Sequence, residues 1–289
     1  MQNNGFYTNK TLNIKGRLIS LNSPKVMGIL NVTPDSFYDG GRFKGDQAVL
    51  AQAERLIREG AQFIDVGGCS TRPGAPSIGE AVELERILPV VRVLTRHFPD
   101  TPLSIDTFHS HVARKAVDEG VTIINDISGG EMDPAMFETV AALGVPYILM
   151  HMKGTPKSMK QLTHYDNLLK DVIDYFQKKI YTLRQLGVKD IILDPGFGFA
   201  KTADQNFELL QHLDSLKIFG VPILAGLSRK SLIWKTLDTD PSGALNGTTA
   251  LNTIALTKGA RLLRVHDVKE AIECITLYEK TQAHKLPVQ

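Results

Sequence analysis

The hydrophobic positions of the chain fall into a recurring local pattern. An amphipathic stretch ends at a glycine, Val or Ala follows, and a short aliphatic run comes next. Copies begin at Gly60 (GAQFIDV), Gly120 (GVTIIND), Gly144 (GVPYILM), Gly187 (GVKDIILD), Gly220 (GVPILAG) and Gly259 (GARLLRV). Glycine just past a helix takes the left-handed conformation that closes the last turn. The runs that follow are too short and too β-branched for helices. They read as strands covered on both faces, as in parallel sheets. Two more runs, VMGILN at 26–31 and PLSID at 102–106, lack the glycine and bring the expected strands to eight.

Between the runs, apolar residues recur at spacings of three and four, the mark of a helix with one buried face. In 46–59 that face holds Val49, Ala53, Leu56 and Ile57; in 80–97 it holds Leu84, Ile87, Leu88 and Val91; in 166–186 it holds Leu169, Val172, Ile173, Phe176 and Ile180. Eight strand-then-helix units predict an α/β chain folded as a closed (β/α)8 TIM barrel. An open doubly wound sheet also alternates strands and helices, and the count of eight favours the barrel. Ahead of the first barrel strand, TLNIKGRLISL at 11–21 reads as a hairpin turning at Lys15-Gly16 and is expected to cover the barrel bottom. With no break in composition, residues 1–289 read as one domain, with the barrel over about 25–282.

Composition narrows the function classes. Thirty-three basic against 31 acidic residues leave a net charge of +2, too balanced for a nucleic-acid coat or a polybasic membrane binder. No run approaches the ~18 apolar residues of a membrane span, and MQNNGFYTNK has no apolar segment of a signal peptide. Cys69 and Cys274 are far apart and form no disulfide framework or zinc pattern, so a cytoplasmic setting with free thiols is expected.

In a barrel of this kind the chemistry gathers where strands end. In chain order those positions are Asn31, Asp65, Asp106, Asn125, His151, Asp194, then Ser228-Arg229-Lys230, and Arg264 with His266. One such residue alone is most simply a helix N-cap; caps do not account for so many polar groups around one mouth. Asp106, Asn125, Asp194 and Lys230 together suit a flat heterocycle with N–H donors and a carbonyl, because a carboxylate accepts two parallel N–H bonds well. The plainer reading is an ion pair between Asp194 and Lys230. Arg72, Arg264 and His266 suit a phosphate or pyrophosphate. Two segments, NVTPDSFYDGGRF at 31–43 and GGCSTRPGAPSIGE at 67–80, carry the Gly, Pro, Ser and Thr density of non-helical loops, and loops of ~12 residues at an active face act as lids. His109 and His111 read as a solvated helix start rather than a metal pair. Gly196-Phe197-Gly198 lacks the third glycine of a dinucleotide fingerprint.

The strings MGILNVTPDSFYDGG (27–41), IDVGGCSTRPGA (64–75), SIDT (104–107), NDISG (125–129), DPGFGF (194–199), SRKS (228–231) and RVHDV (264–268) resemble, in order and over nearly the whole chain, the dihydropteroate synthase family of folate biosynthesis, the transferases that sulfonamides inhibit. The resemblance implies condensation of 6-hydroxymethyl-7,8-dihydropterin pyrophosphate with p-aminobenzoate, a homodimer, and Mg²⁺ ligated by Asn31. It implies that Asp106, Asn125, Asp194 and Lys230 bind the pterin, with Asp65 supporting that end and Arg264 stacking on the ring. Arg264 and His266, with Arg72, would hold the pyrophosphate. Phe37, Thr71, Arg72, Pro73, Phe199, Lys230 and Ser231 would shape the p-aminobenzoate pocket, and Asp35 is a candidate to assist Mg²⁺ or a pterin cation. The alternatives are a methyltetrahydrofolate–corrinoid methyltransferase-like enzyme, which needs no pyrophosphate loops, and a non-catalytic pterin-binding paralogue.

Many members of that family carry Glu where this chain has Cys69. The position precedes the Ser-Thr-Arg-Pro element and has no histidine base nearby in sequence, so the thiol is expected to be a spectator. Cys69→Ser and Cys69→Glu are therefore expected to keep near-full turnover. A loss in kcat beyond about 100-fold, roughly 2.7 kcal/mol, in steady-state assays would show that this thiol takes part.

Overall fold

The computed structural model describes residues 10–32, 42–68 and 78–284; Asp35, Phe37, Cys69, Thr71, Arg72 and Pro73 lie outside them. A hairpin of β1 (Thr11–Ile14) and β2 (Arg17–Ser20) comes first. Then follow β3 (Lys25–Asn31), α1 (Arg42–Arg58), β4 (Phe63–Gly67), α2 (Glu80–His97), β5 (Leu103–Asp106), α3 (Ser110–Asp118), β6 (Ile123–Asp126) and α4 (Met136–Leu143). The chain continues with β7 (Tyr147–Met150), α5 (Leu168–Gln185), β8 (Ile191–Asp194), α6 (Ala203–Gln211), β9 (Leu224–Ala225), α7 (Ser231–Thr236), α8 (Leu245–Lys258), β10 (Leu262–Val265) and α9 (Val268–Ala283). Strands β3 to β10 form one parallel sheet in the order β8-β7-β6-β5-β4-β3-β10-β9. The ring closes through a parallel bridge between Leu193 and Ile223, where the Leu193 N–H donates to the Pro222 carbonyl at 2.9 Å. This is the (β/α)8 barrel expected from the repeats. The six repeat glycines all have positive φ, between 64° and 110°. Gly144 shows why: it closes α4 at φ 64°, donating to Val140 O, and open space surrounds an added Cβ there. The requirement is conformational rather than steric.

The alternation of side chains along each strand sorts the barrel into two regions. Outward residues such as Val26, Leu30, Ile64, Val66, Ile105, Ile124, Leu149, Leu193 and Leu263 pack under the helices. Inward residues Met27, Phe63, Ile123, Ile148, Ile192, Leu224 and Leu262 form a separate apolar cluster with Leu12, Ile14 and Leu21. The hairpin therefore plugs the bottom of the barrel, as expected. Its turn residues Lys15 (φ 50°) and Gly16 (φ 84°) give the left-handed pair of a type I′ hairpin. Two residues further along four strands the inward position becomes polar: Phe63 gives way to Asp65, Ile123 to Asn125, Ile192 to Asp194 and Leu262 to Arg264.

Two helix faces differ in phase from the sequence reading. In α2 the fully buried stripe is Glu83, Ile87, Val90, Val91 and Leu94, and Leu84 and Leu88 are only half-buried. The helix is rotated so that a carboxylate, not Leu84, enters the interior, where it meets His109. In α5 Val172, Phe176 and Ile180 are buried as expected, joined by Leu168 and Leu183, whereas Leu169 and Ile173 are half-buried. Among the described residues, no helix is long and apolar enough to cross a membrane.

Because Leu12 is fully buried in the bottom cluster, Leu12→Ala is expected to lower the unfolding free energy by about 2–5 kcal/mol in urea titrations. A change below about 0.5 kcal/mol would mean that the hairpin is not part of the packed core.

Candidate active site

The polar upper half of the barrel is organised around one guanidinium. Arg264, on β10, donates from Nε to Asp65 Oδ2 at 2.6 Å and from Nη2 to Asp106 Oδ2 at 2.7 Å. Asn125 Nδ2 donates to the same Asp65 oxygen at 2.9 Å. Asp65 is fully buried, and its Oδ1, like Ser104 Oγ, has no hydrogen-bond partner among the described residues. Burial opposes the Arg264 charge, but Asp65 and Asp106 outweigh it and hold the guanidinium above its ordinary range. Asp106 is pushed up to about 7 by burial, which Arg264 only partly offsets.

Across the mouth, Asp194 ends β8 and accepts the Gly196 N–H at 2.8 Å. Burial raises its pKa against the pull of Lys230. Lys230 does not form a close ion pair with Asp194, so the plainer reading of these two residues fails. Its Nζ donates instead to Phe197 O and lies 4.8 Å from the centre of the Phe199 ring. Burial lowers Lys230 to about 8, partly countered by Asp194. The residue before it, Arg229, takes φ 54°, a left-handed conformation that costs an L residue roughly 1–2 kcal/mol. A two-pronged pair with Asp267, Nε to Oδ2 at 2.9 Å and Nη2 to Oδ1 at 2.8 Å, holds it there. The His266 N–H donates to Ser228 Oγ at 3.2 Å. Ser231 is exposed at the start of α7. Asn31 is exposed at the rim, and an added Cβ on Gly67 would lie 3.6 Å from Asp106 Cβ and 3.7 Å from Asn31 Oδ1, so the amide oxygen shares the rim with Asp106. An amide oxygen is a hard donor that suits Mg²⁺, an ion that takes few protein oxygens and fills its shell with phosphate and water.

Asp65, Asp106, Asn125, Asp194, Lys230 and Arg264 are thus brought to one mouth, with Asn31 and His266 at its margin. His151 is not part of it. Its neighbour Met150 takes the inward position, while the His151 ring, 2% exposed, lies among Tyr165, Tyr175 and Phe176. Met150 joins Phe108, Ile127, Met152, Met159 and Ala200, with Phe199 against them, in an apolar wall. Sequence reasoning missed that wall, although the inward parity of β7 (Ile148, then Met150) was available to find it. His109 and His111 are not merely solvated: His109 Nδ1 is 2.7 Å from the buried Glu83 carboxylate, and His111 pairs with Glu80 at 2.8 Å.

A family model described as pterin binding enzyme matches residues 27–266. Dihydropteroate synthase of Escherichia coli is 42% identical over 273 residues, covering 94% of this chain and 96% of its own. The chain belongs to the dihydropteroate synthase family. Among solved structures, the Yersinia pestis dihydropteroate synthase with a sulfonamide drug superposes with a TM-score of 0.88 at 42% identity, covering 94% of this chain and 99% of its own. The Xanthomonas albilineans dihydropteroate synthase with 4-aminobenzoic acid gives 0.88 at 40%, covering 97% and 100%. As a dihydropteroate synthase family member the chain is a transferase.

Asp106 gives this family site a measurable pH signature. Its folded pKa, about 7, lies above the ordinary 3.8, so between those values the folded state holds a proton that the unfolded state has released. The stability it contributes is present below the unfolded pKa and lost as pH rises through about 7. Asp106→Asn is therefore expected to become more stable relative to wild type from about pH 5 to about pH 7.5, as read by urea unfolding at both values. A stability difference independent of pH would contradict the assignment.

Proposed function

We propose that the chain condenses 6-hydroxymethyl-7,8-dihydropterin pyrophosphate with p-aminobenzoate, giving 7,8-dihydropteroate and pyrophosphate. The observation that carries this reading is the grouping of Asp106, Asn125, Asp194 and Lys230 at one barrel mouth, around Arg264 and its carboxylates, in a member of the dihydropteroate synthase family. Asp194 and Asp106 accept ring and amino N–H groups, Asn125 adds a donor and an acceptor, and Lys230 donates to the ring carbonyl. Arg264, fixed in the barrel wall, lies along the ring. Its charge, with the His266 ring as a hydrogen-bond donor and Arg72 outside the described residues, offsets the charge gathering on the leaving pyrophosphate. Asn31 would hold Mg²⁺, which when bound supplies further positive charge at the leaving group. Asp35 is assigned a supporting part there.

The bond that breaks joins the pterin CH₂ to pyrophosphate oxygen. The electron pair leaves with pyrophosphate, and the conjugated ring spreads the positive charge left on carbon. The arylamine nitrogen then forms the new C–N bond and gives its proton to solvent. An arylamine is already neutral at pH 7, so no strong base is required, and the protein's work is charge stabilisation and orientation. Phe199 and the apolar wall beside it support the arylamine end, together with Ser231, Phe37, Thr71 and Pro73. The homodimer is carried over from the family resemblance, and the free buried thiol of Cys274 fits a cytoplasmic setting.

Purified protein given both substrates and Mg²⁺ is expected to release pyrophosphate in step with dihydropteroate; release of neither would overturn the reading. Asp194→Asn is expected to stay folded and to weaken binding of 6-hydroxymethylpterin by about 1.5–3 kcal/mol, tenfold or more, by titration calorimetry. Unchanged affinity in a folded variant would remove Asp194 from pterin recognition.

A further inference from the structure

Lys201 is a buried cation that the condensation does not use. It follows the segment 195–200, which leaves β8 at Asp194 and turns sharply: Gly196 has φ 70°, Gly198 φ 80° and Ala200 φ 48°. Gly196 has no room for a side chain, because an added Cβ would fall 2.0 Å from His151 O. Ala200 holds an L residue in the left-handed region, a conformation that persists only where the surroundings fix it.

Three side chains hold the turn: the Tyr165 hydroxyl donates to Ala200 O at 3.0 Å, Asn206 Oδ1 accepts the Gly198 N–H at 2.6 Å, and the Lys201 ammonium binds two of its carbonyls. Lys201 Nζ donates to Gly196 O at 3.1 Å and Phe199 O at 3.1 Å, the two ends of the turn, and lies 3.0 Å from His151 Nδ1. Burial lowers the Lys201 pKa to about 7; in its protonated form the nitrogen has three donors, and here three acceptors lie in place to take them. Burial, followed by the charges of Lys201 and Lys153, drives the His151 pKa well below its usual value, so the ring is neutral and its Nδ1 can accept. The same turn supplies the mouth with three features. The Gly196 N–H bonds Asp194, the Phe197 carbonyl receives Lys230, and the Phe199 ring lies beside the Lys230 ammonium. Lys201 touches the back of this turn, and its 8% exposure leaves it no access to a substrate in the mouth.

We propose that Lys201 is a positioning residue: by tying the Gly196 and Phe199 carbonyls to His151, it fastens the turn after β8 in the shape that presents Asp194, Phe197 O and Phe199 to the substrates. The inference rests on the condensation reading for its substrates, whereas the fastening itself is read without them. Lys201→Met keeps the length of the side chain and removes all three bonds. It is expected to stay folded, to lose hydrogen-exchange protection at the Gly198 and Phe199 amides, to raise KM for p-aminobenzoate at least tenfold, and to lower kcat/KM at least 100-fold. Lys201→Arg, which restores charge and donors, is expected to recover part of both losses. Protection and kcat/KM within threefold of wild type in folded Lys201→Met would overturn the proposal. If Lys201→Met does not fold, Lys201→Gln is measured in the same way; failure of both to fold would also overturn it, since the lysine would then support the fold and not the site. Wild-type protein that makes no dihydropteroate would sink the condensation reading, and the exchange pattern of Lys201→Met would still decide whether Lys201 fastens the turn.

Discussion

The mouth of this barrel depends on a guanidinium held between two carboxylates. Asp65 and Asp106 would be costly to bury alone, and so would Arg264. Together, with bonds of 2.6 and 2.7 Å, they allow charge to be set directly above an apolar floor. Asp194 makes no close ion pair, but the charge of Lys230, and to a lesser extent those of Arg264 and Lys201, offsets the rise in its pKa that burial causes. Asp65, Asp106 and Asp194 thus share the buried mouth with Arg264 and Lys230, and Lys201 lies behind the turn that follows Asp194. Burial moves three of these groups toward neutrality, Asp106 to about 7, Lys230 to about 8 and Lys201 to about 7, so small changes in contact decide where their protons reside.

That arrangement follows from strand parity. Phe63 and Asp65 point into the same space, as do Ile123 and Asn125, Ile192 and Asp194, and Leu262 and Arg264. The lower member of each pair builds the floor with the N-terminal hairpin, and the upper member builds the mouth. Rigidity below and chemistry above are therefore specified two residues apart, which lets long-range packing align groups that come from distant parts of the chain. The apolar wall of Met150 and Phe199 adds a second surface, suited to an aryl ring, beside the polar set suited to a pterin.

Much of this was legible in the residues. The glycine-led aliphatic runs gave the strands, Lys15-Gly16 gave the hairpin turn, and the family motifs pointed to the mouth. What sequence pattern could not supply was direction and partnership. His151 follows an inward Met150 and so faces outward, a matter of parity that its polar character obscured. Glu83 enters the interior in place of Leu84 because its partner His109 is supplied by the start of α3, and apolar periodicity gives no weight to a buried carboxylate with a distant partner. Lys201 looks like an ordinary surface lysine until the carbonyls of Gly196 and Phe199 are seen to turn back onto it.

The most direct test of the central interaction is a double-mutant cycle on unfolding free energy with Asp65→Asn, Arg264→Met and the two combined. If the guanidinium and the buried carboxylate compensate one another, each single variant is strongly destabilised, by about 3–5 kcal/mol. The double variant recovers much of that loss, with a coupling of at least about 2 kcal/mol. Losses that simply add, with the double variant the least stable of the three, would contradict the account: the charges of the mouth would then be held independently, and the pairing of Arg264 with Asp65 would not be what permits their burial.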